Sequence, residues 1–291
     1  MQLYSLIEQA ELPAAMDVVI DLQKSVQSQS DSVRDFADKL KTEPALTAKL
    51  LRIANSAFYG AQSIETVEEA IMMIGTNDLV NLILAAEVMT AFEGMEYRIS
   101  LAQFWRYNIY CAAAAYHIAK EVRRSRSRLF TCGLLRGVGA LVLYRYMPEK
   151  SIKVMDVIDN KPDVPPYLLE QVEFSFHHGE VASALLQHWG LPETIYNTLR
   201  HYPNPSKADS DHYIDSCVLN VAYRATAEKF GLPCVVENDW LKTQSQKSDS
   251  DLIDDTQFEI QQHYEKAVTA MLPQDAASRP KIVVNNMQAR A

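Results

Sequence analysis

The chain has 291 residues, of which 48% are hydrophobic and 22% charged, as expected for a folded protein with a substantial core. Its formal net charge of −9 excludes a general binder of nucleic acids or anionic membranes, because neutralising phosphates requires a basic face. Glycine is scarce, with 9 residues, and alanine- and leucine-rich stretches are long, which favours an all-α fold.

Cysteine usage and hydropathy predict a soluble, cytoplasmic protein. The four cysteines lie far apart without a C-x-x-C spacing, and no secretory signal is recognisable, which indicates a reducing compartment. We expect Cys111 and Cys132 to be buried thiols in apolar helices. The most apolar segment, Leu82 to Phe92, is interrupted by Glu87 and is shorter than the roughly 20 apolar residues that cross a bilayer.

Helical periodicity dominates the first part of the chain. Apolar spacing predicts short amphipathic helices over about 3–10, 18–26 and 33–40. Pro44 suits the first turn of a fourth helix. We expect Asn55 to end that helix in a left-handed conformation.

Capping patterns place the next helix boundaries. Thr66 and Glu69 fit a capping box, and Gly75 is expected to end the helix that it opens. Asp78 is expected to cap the following helix, which runs to about residue 92. Ser100 to Gln103 fits a second capping box, opening a long helix over about 101–123.

The segment with Arg136 is placed on the helix after 101–123, and a proline-rich loop follows at 162–166. Further helices are predicted over about 167–175, 179–188, 192–201 and 211–230.

The composition changes after Gly231. Residues 242–256 are rich in Ser, Asp, Gln and Lys, which predicts a mobile linker. Residues 258–272 can form one more helix, and 273–291 are expected to be a loosely held tail. The predicted organisation is an N-terminal helical subdomain (1–95), a second helical subdomain (96–230) and a C-terminal linker, helix and tail (231–291).

Several segments, in this order and spacing, resemble the HDOD domain, a bacterial signalling family of helical relatives of the HD and HD-GYP phosphohydrolases. The segments are Leu12-Pro13, Glu43 to Ser56, Ile64 to Gly75, Phe104-Trp105-Arg106 and Gly179 to Pro192. The resemblance covers roughly residues 8–230, and it implies an all-α fold of two packed helical bundles.

The sequence Leu-Leu-Arg-Gly-Val-Gly at 134–139 resembles the HD helix, in which an adjacent histidine and aspartate ligate the catalytic metal. Here these positions hold Arg136 and Gly137. Arginine has no acceptor atom and glycine has no side chain, so neither side chain can bind a metal ion.

The resemblance places the remaining HD-type ligand positions at Tyr107, His178 and His201, with Tyr202 in place of a further histidine. Only His178 and His201 are vestigial metal ligands, and a catalytic metal normally needs at least three protein ligands. His117 and His177 can in principle be recruited, although His177 is expected at a helix start. The GYP-type loop is absent. We expect no catalytic residue, no bound metal and no cofactor.

Two interpretations of Arg136 remain open. Its guanidinium can bind a phosphate or carboxylate ligand, with His178, His201 and Tyr107 as neutral donors and His177 as a further contact. Alternatively, Arg136 pairs with a core carboxylate such as Glu173 or Glu180 and only fills the vacated space.

The resemblance implies a non-catalytic signal-transduction protein that binds a signalling partner from a two-component or cyclic-dinucleotide pathway. Because the pattern begins near residue 8, we expect regulation to come from a separate protein or a ligand. The rival interpretation is a metal-dependent phosphohydrolase with a rearranged site. The basic cluster of Arg123, Arg124, Arg126 and Arg128 is expected to be a solvated turn or a partner contact.

Overall fold

A computed structural model describes seven stretches of the chain: residues 2–10, 16–28, 32–55, 63–92, 100–161, 164–234 and 238–272. These residues form α-helices and one short 3₁₀ turn, with no strand among them, which confirms the predicted all-α class. Leu12-Pro13, Ser56 and the tail 273–291 lie outside the described residues.

The first bundle contains six helices: α1 (Gln2–Ile7), α2 (Met16–Ser28), α3 (Val33–Lys41), α4 (Pro44–Ala54), α5 (Val67–Ile74) and α6 (Thr76–Ala91). Thr66 and Glu69 form the predicted capping box of α5. Asp78 lies in the first turn of α6, whose N-cap is Gly75, so the prediction that Asp78 caps this helix is wrong.

Asn55 ends α4 in a right-handed conformation, which corrects the left-handed prediction. Its amide is used elsewhere: Nδ2 donates to the carbonyl of Ile64 over 2.6 Å, and Oδ1 accepts from the Ile64 amide over 2.7 Å. Asn55 thereby fixes the chain that leads into α5.

The second bundle contains α7 (Leu101–Glu121), α8 (Arg126–Leu135), α9 (Val138–Tyr146), α10 (Pro148–Asn160), α11 (Pro166–Phe174), α12 (His178–His188), α13 (Glu193–His201) and α14 (Tyr213–Phe230). Ser100 accepts a hydrogen bond from the amide of Gln103 at the start of α7, which is half of the predicted box. Arg136 and Gly137 lie at the break between α8 and α9, where the sequence predicted one helix.

The C-terminal region belongs to the packed body. Helices α15 (Lys242–Ser245) and α16 (Asp249–Met271) occupy most of the predicted linker, so that prediction is wrong. A capping box between Ser248 and Asp251 starts α16 in spite of the polar composition. The apolar side of α16 then packs on α7, because residues such as Leu252 and Ile260 are fully buried.

Helix α7 is the centre of the fold. It contacts α8, α14 and α16, and its run of four alanines, 112–115, is fully buried, which lets neighbouring helices approach closely. Contacts of α6 with α8 and of α1 with α12 join the two bundles over one continuous hydrophobic core. Cys111 and Cys132 are buried free thiols, as predicted.

In the described residues, no single helix has the length and apolar character of a membrane span. The α5–α6 pair meets the length and composition criteria only when taken together, and it bends by 111° at Gly75.

The basic cluster is largely committed to internal contacts, which corrects the expectation of a solvated turn. Arg124 and Arg128 both bind the buried carboxylate of Asp215 over 2.5 Å. The guanidinium of Arg126 lies over the ring of Tyr116, 3.9 Å from its centroid. These contacts fix the turn between α7 and α8 onto α14.

Candidate functional site

The helix that resembles the HD motif packs unusually closely on α12. A Cβ built on Gly139 lies 1.9 Å from the carbonyl oxygen of His178 and 2.7 Å from the amide nitrogen of Ala182. No other residue fits here without moving one of the two helices. Gly139 therefore brings the break at Arg136 next to the first turn of α12, where His178 lies.

His178 is held by hydrogen bonds on both ring nitrogens. Nδ1 lies 2.6 Å from Oε2 of Glu170, which also accepts the His178 backbone amide over 2.8 Å. Nε2 lies 2.6 Å from the hydroxyl of Tyr202. A carboxylate only accepts, so Nδ1 carries a proton and donates to Glu170, while Nε2 shares the second hydrogen bond with the Tyr202 hydroxyl. Burial raises the pKa of Tyr202, which keeps this phenol protonated.

Arg136 lies among aromatic rings, with Cζ 4.6 Å from the ring centroid of Tyr223 and with Tyr202 and Cys111 as further neighbours. Its Nε is buried and has no hydrogen-bond partner. No described carboxylate forms an ion pair with it, so the predicted pairing with Glu173 or Glu180 is wrong.

The two glutamates named in that prediction have other surroundings. The backbone carbonyl of Glu173 accepts from Lys150, and the Glu180 carboxylate accepts from the backbone amide of His177. A cation–π contact with Tyr223 takes the place of the expected salt bridge.

The space beside Gly137 that a side chain would need is occupied by neighbouring side chains. A Cβ at this position lies 2.7 Å from Cζ of Phe104 and 3.0 Å from Oδ1 of Asn108. The aspartate that an HD site carries here has no room for its carboxylate unless the Phe104 ring moves.

The remaining predicted residues lie elsewhere. Tyr107 hydrogen-bonds Gln103 and packs on Phe230, with ring centroids 4.8 Å apart. No described contact joins Tyr107 to Arg136 or His178.

His177 is the N-cap of α12, as the sequence predicted for a helix start. Its Nδ1 accepts from the amides of Gly179 and Glu180 over 3.1 and 3.4 Å. Burial and the positive charge of Arg200 lower the pKa of His201, which ends α13 and has His212 and Asp209 as electrostatic neighbours. Of the predicted set, the structure joins Arg136, His178 and Tyr202 in one cluster, and the ring of His177 packs edge-on against His178 with centroids 6.0 Å apart.

A cavity opens beside this cluster, and we call it the aromatic cavity. Its walls include Tyr167, His178, Tyr202, Asn220, Tyr223 and Trp240. Sequence reasoning missed Glu170, Asn220, Tyr223 and Trp240. The last three lie on α14 or beyond it, where no motif marks them, and only tertiary packing brings them to His178.

The donor set does not fit an HD-type metal. Among the residues that the structure describes, no three His, Cys, Asp or Glu side chains converge to hold a metal ion. His178 keeps no lone pair available, because Nδ1 and Nε2 are both engaged.

A family model for the HDOD domain matches residues 12–205, which is two thirds of the chain. The chain belongs to the HDOD domain family. Much of the aromatic cavity lies outside the matched region, since Asn220, Tyr223 and Trp240 follow residue 205.

Solved structures share the fold of this HDOD protein. An HDOD domain protein of unknown function from Geobacter sulfurreducens is 20% identical, with a TM-score of 0.74 over 93% of this chain and 98% of that chain. A candidate phosphohydrolase from Shewanella amazonensis SB2B is 21% identical, with a TM-score of 0.72 over 91% and 95%.

Two further relatives are longer than this chain. A candidate signal transduction protein from Marinobacter aquaeolei VT8 is 20% identical, with a TM-score of 0.73 over 93% of this chain and 64% of that chain. An uncharacterized protein of Treponema pallidum (strain Nichols) is 24% identical over 205 residues, 69% of this chain and 39% of the relative. The match thus spans about two fifths of that relative.

Proposed function

We propose that this chain is a non-catalytic regulatory protein of bacterial signal transduction, which acts by binding a partner protein or ligand through its HDOD domain. The observation that carries the proposal is the state of His178. Its two ring nitrogens are bound to Glu170 and Tyr202, while Arg136 and Gly137 stand where the resemblance places metal ligands.

The charge of the site supports the same conclusion. Arg136 places a permanent positive charge beside Tyr202 and Tyr223, and this charge repels a divalent cation. The expected partner is a signalling protein of a two-component or cyclic-dinucleotide pathway, as family membership suggests. Binding to nucleic acid is disfavoured by the net charge of −9 and by the internal contacts of Arg124 and Arg128.

The rival function is a metal-dependent phosphohydrolase that uses a rearranged site with His178 and His201. The names of the relatives do not distinguish a phosphohydrolase from a regulatory protein, since one relative is a candidate phosphohydrolase and another a candidate signal transduction protein. Measurements of metal content and turnover distinguish the two functions.

The test compares metal content and turnover in the wild-type chain and His178→Ala. Purified protein is analysed for iron, manganese and zinc, and then incubated with bis(p-nitrophenyl) phosphate and added Mn²⁺. We expect substoichiometric metal and no turnover above an enzyme-free blank for the wild-type chain, for His178→Ala and for the control His188→Gln, whose side chain is exposed. Stoichiometric metal with turnover that disappears in His178→Ala establishes the rival function.

Partner binding is tested by a pull-down from the native cell with the full chain as bait. A matched Gly139→Leu bait controls for capture by unfolded protein, because α12 leaves no space for a side chain at this position. We expect a signalling protein to be retained by the wild-type bait and lost from the control. Identical captures by both baits contradict specific binding.

A further inference from the structure

We propose that the aromatic cavity binds a neutral, planar heteroaromatic ligand through a hydrogen-bonding edge that carries an adjacent donor and acceptor. The proposal rests on the proposed function, because it treats the cavity as a binding site without catalysis. It goes further by naming the class of ligand.

The walls of the cavity are suited to a flat ring. Tyr167, Tyr202 and Tyr223 contribute aromatic surface, and Pro165 and Pro203 add rigid apolar surface. Such walls bury the faces of a ring at a small entropic cost, because aromatic side chains and prolines have few rotatable bonds. The cavity combines this apolar lining with few polar groups, which is the usual composition of small-molecule sites.

Two polar groups on the walls are unpaired. Asn220 donates through Nδ2 to the carbonyl of Tyr202 over 2.9 Å, which fixes its amide and leaves Oδ1 without a hydrogen-bond partner. Trp240 donates its backbone amide to Asp249, while its indole N–H has no partner. The residues that line the cavity therefore retain one acceptor and one donor that form no hydrogen bond within the described chain. A ligand edge with an N–H beside a C=O, as in a lactam, complements this pair.

The other polar groups are already satisfied. The Tyr223 hydroxyl donates to the carbonyl of Pro233 over 3.0 Å, and the Tyr202 hydroxyl is bound to His178. These bonds hold the rings of Tyr202 and Tyr223 in place, so these two walls do not have to reorient on binding.

Charge selects a neutral ligand. Aromatic cavities often bind cations, but the guanidinium of Arg136 already occupies a position over the Tyr223 ring and repels a second positive charge. The Glu170 carboxylate, which binds His178, opposes an anion in the same way. The opposite charges of Arg136 and Glu170 offset each other, so an ion of either sign gains little net attraction at this cavity.

The backbone of Trp240 is held at the cavity wall by hydrogen bonds to a buried carboxylate. The carboxylate of Asp249, which is fully buried, accepts the backbone amides of Trp240 and Leu241 over 2.8 and 2.9 Å. Arg224 donates to the same carboxylate over 2.7 Å. This network holds the backbone of Trp240 and Leu241 at the cavity wall, next to the start of α16.

The experiment is calorimetric titration of the full chain with guanosine and uridine, which are neutral rings with a lactam edge. We expect dissociation constants at or below about 1 mM, and binding weakened about tenfold by Trp240→Phe, which keeps a ring but removes the donor. Asn220→Leu has the same expected effect. Phe258→Ala, at an exposed position on α16, is the matched control and should leave binding unchanged.

Chemical variants of the probe separate the possible outcomes. 3-Methyluridine lacks the edge donor and should bind at least about tenfold more weakly than uridine. Binding of tetramethylammonium, or of uridine monophosphate without binding of uridine, overturns the proposal in favour of an ion site. Absence of binding by every neutral probe also overturns it. The proposed function fails separately, through metal-dependent turnover, so the two results are distinguishable.

Discussion

Arg224 on α14 and Asp249 on α16 form a buried ion pair, in which Nη1 donates to Oδ2 over 2.7 Å. The pair joins the C-terminal helix to the second bundle, because Asp249 also accepts the amides of Trp240 and Leu241. It therefore links the stability of α16 to the wall of the aromatic cavity.

Removing one partner of this pair should be strongly destabilising. Asp249→Asn leaves a buried guanidinium without a carboxylate, and we expect it to lower the free energy of unfolding by about 3–5 kcal/mol. The measurement is urea denaturation followed by circular dichroism. The control is Asp255→Asn at the exposed pair with Lys247, for which we expect no measurable loss, because solvent screens such pairs. Equal losses in both variants contradict a structural role of the buried pair.

The hydrogen bond between Tyr202 and His178 should contribute measurably to stability. Tyr202→Phe leaves Nε2 of His178 without its partner and is expected to lower the free energy of unfolding by about 1–3 kcal/mol. Tyr4→Phe, at a side chain that is 74% exposed, is the matched control and should have no effect. If the two variants unfold at the same urea concentration, the bond contributes nothing to stability.

Local patterns predicted much of this fold, since helix starts and ends depend on nearby residues. The box at Thr66 and the helix over 101–121 follow from spacing that is visible in a short window. The helix α16 was not predicted because most of its residues are polar. Its few apolar residues are buried only through packing against α7, which the local sequence does not reveal. Composition alone does not distinguish such a helix from a linker.

The site was predictable in part. The absence of HD-type metal-ligand residues at Arg136, Gly137 and Tyr202 is visible in the sequence, because the resemblance indicates which residue type an HD site carries at each position. The replacement contacts are not visible, since Glu170 reaches His178 and Tyr223 reaches Arg136 only through tertiary packing. The sequence also gives no sign that the side chain of Asn55 binds the backbone of Ile64, nine residues further along the chain.

Acid should destabilise the contact between α7 and α16. His117 Nε2 lies 3.1 Å from His263 Nδ1. Burial, together with the charge of Arg126, lowers the pKa of His117 to about 4; burial, His117 and Arg126 lower that of His263 to about 3. Both rings are therefore neutral in the folded protein, and Glu259 opposes this shift only in part.

The sign of the pH dependence follows from these values. Unfolded histidine binds a proton near pH 6.5, so the unfolded state gains protons first as the pH falls. The stability from these two rings is fully present above about pH 6.5 and is lost progressively toward pH 4. We expect a smaller loss over this range in His263→Gln than in the wild-type chain, measured by urea denaturation. His188→Gln, at an exposed position, should keep the wild-type dependence; a His263→Gln profile identical to it contradicts this account.

The close approach at Gly139 should not tolerate a methyl group. Gly139→Ala places Cβ against the His178 carbonyl and the Ala182 amide, and separating α9 from α12 should cost about 1–3 kcal/mol or more. The free energy of unfolding measures this loss. Ala184→Ser on the partly exposed side of α12 is the control and should change stability little. A stable Gly139→Ala protein shows that the helices separate readily.

Restoring the two missing ligand types should not restore an HD-type metal site. The double variant Arg136→His, Gly137→Asp supplies the side chains, but Phe104 and Asn108 fill the space that the aspartate needs. The Tyr202 hydroxyl also still occupies Nε2 of His178. We therefore expect no stoichiometric binding of Mn²⁺ in equilibrium dialysis, with the wild-type chain as the control for weak surface sites. Adding Phe104→Ala and Tyr202→His removes both obstacles, so this further variant should bind Mn²⁺ more tightly than the double variant. Tight binding by the double variant alone contradicts this account, because it requires that Phe104 and Tyr202 move aside without a mutation.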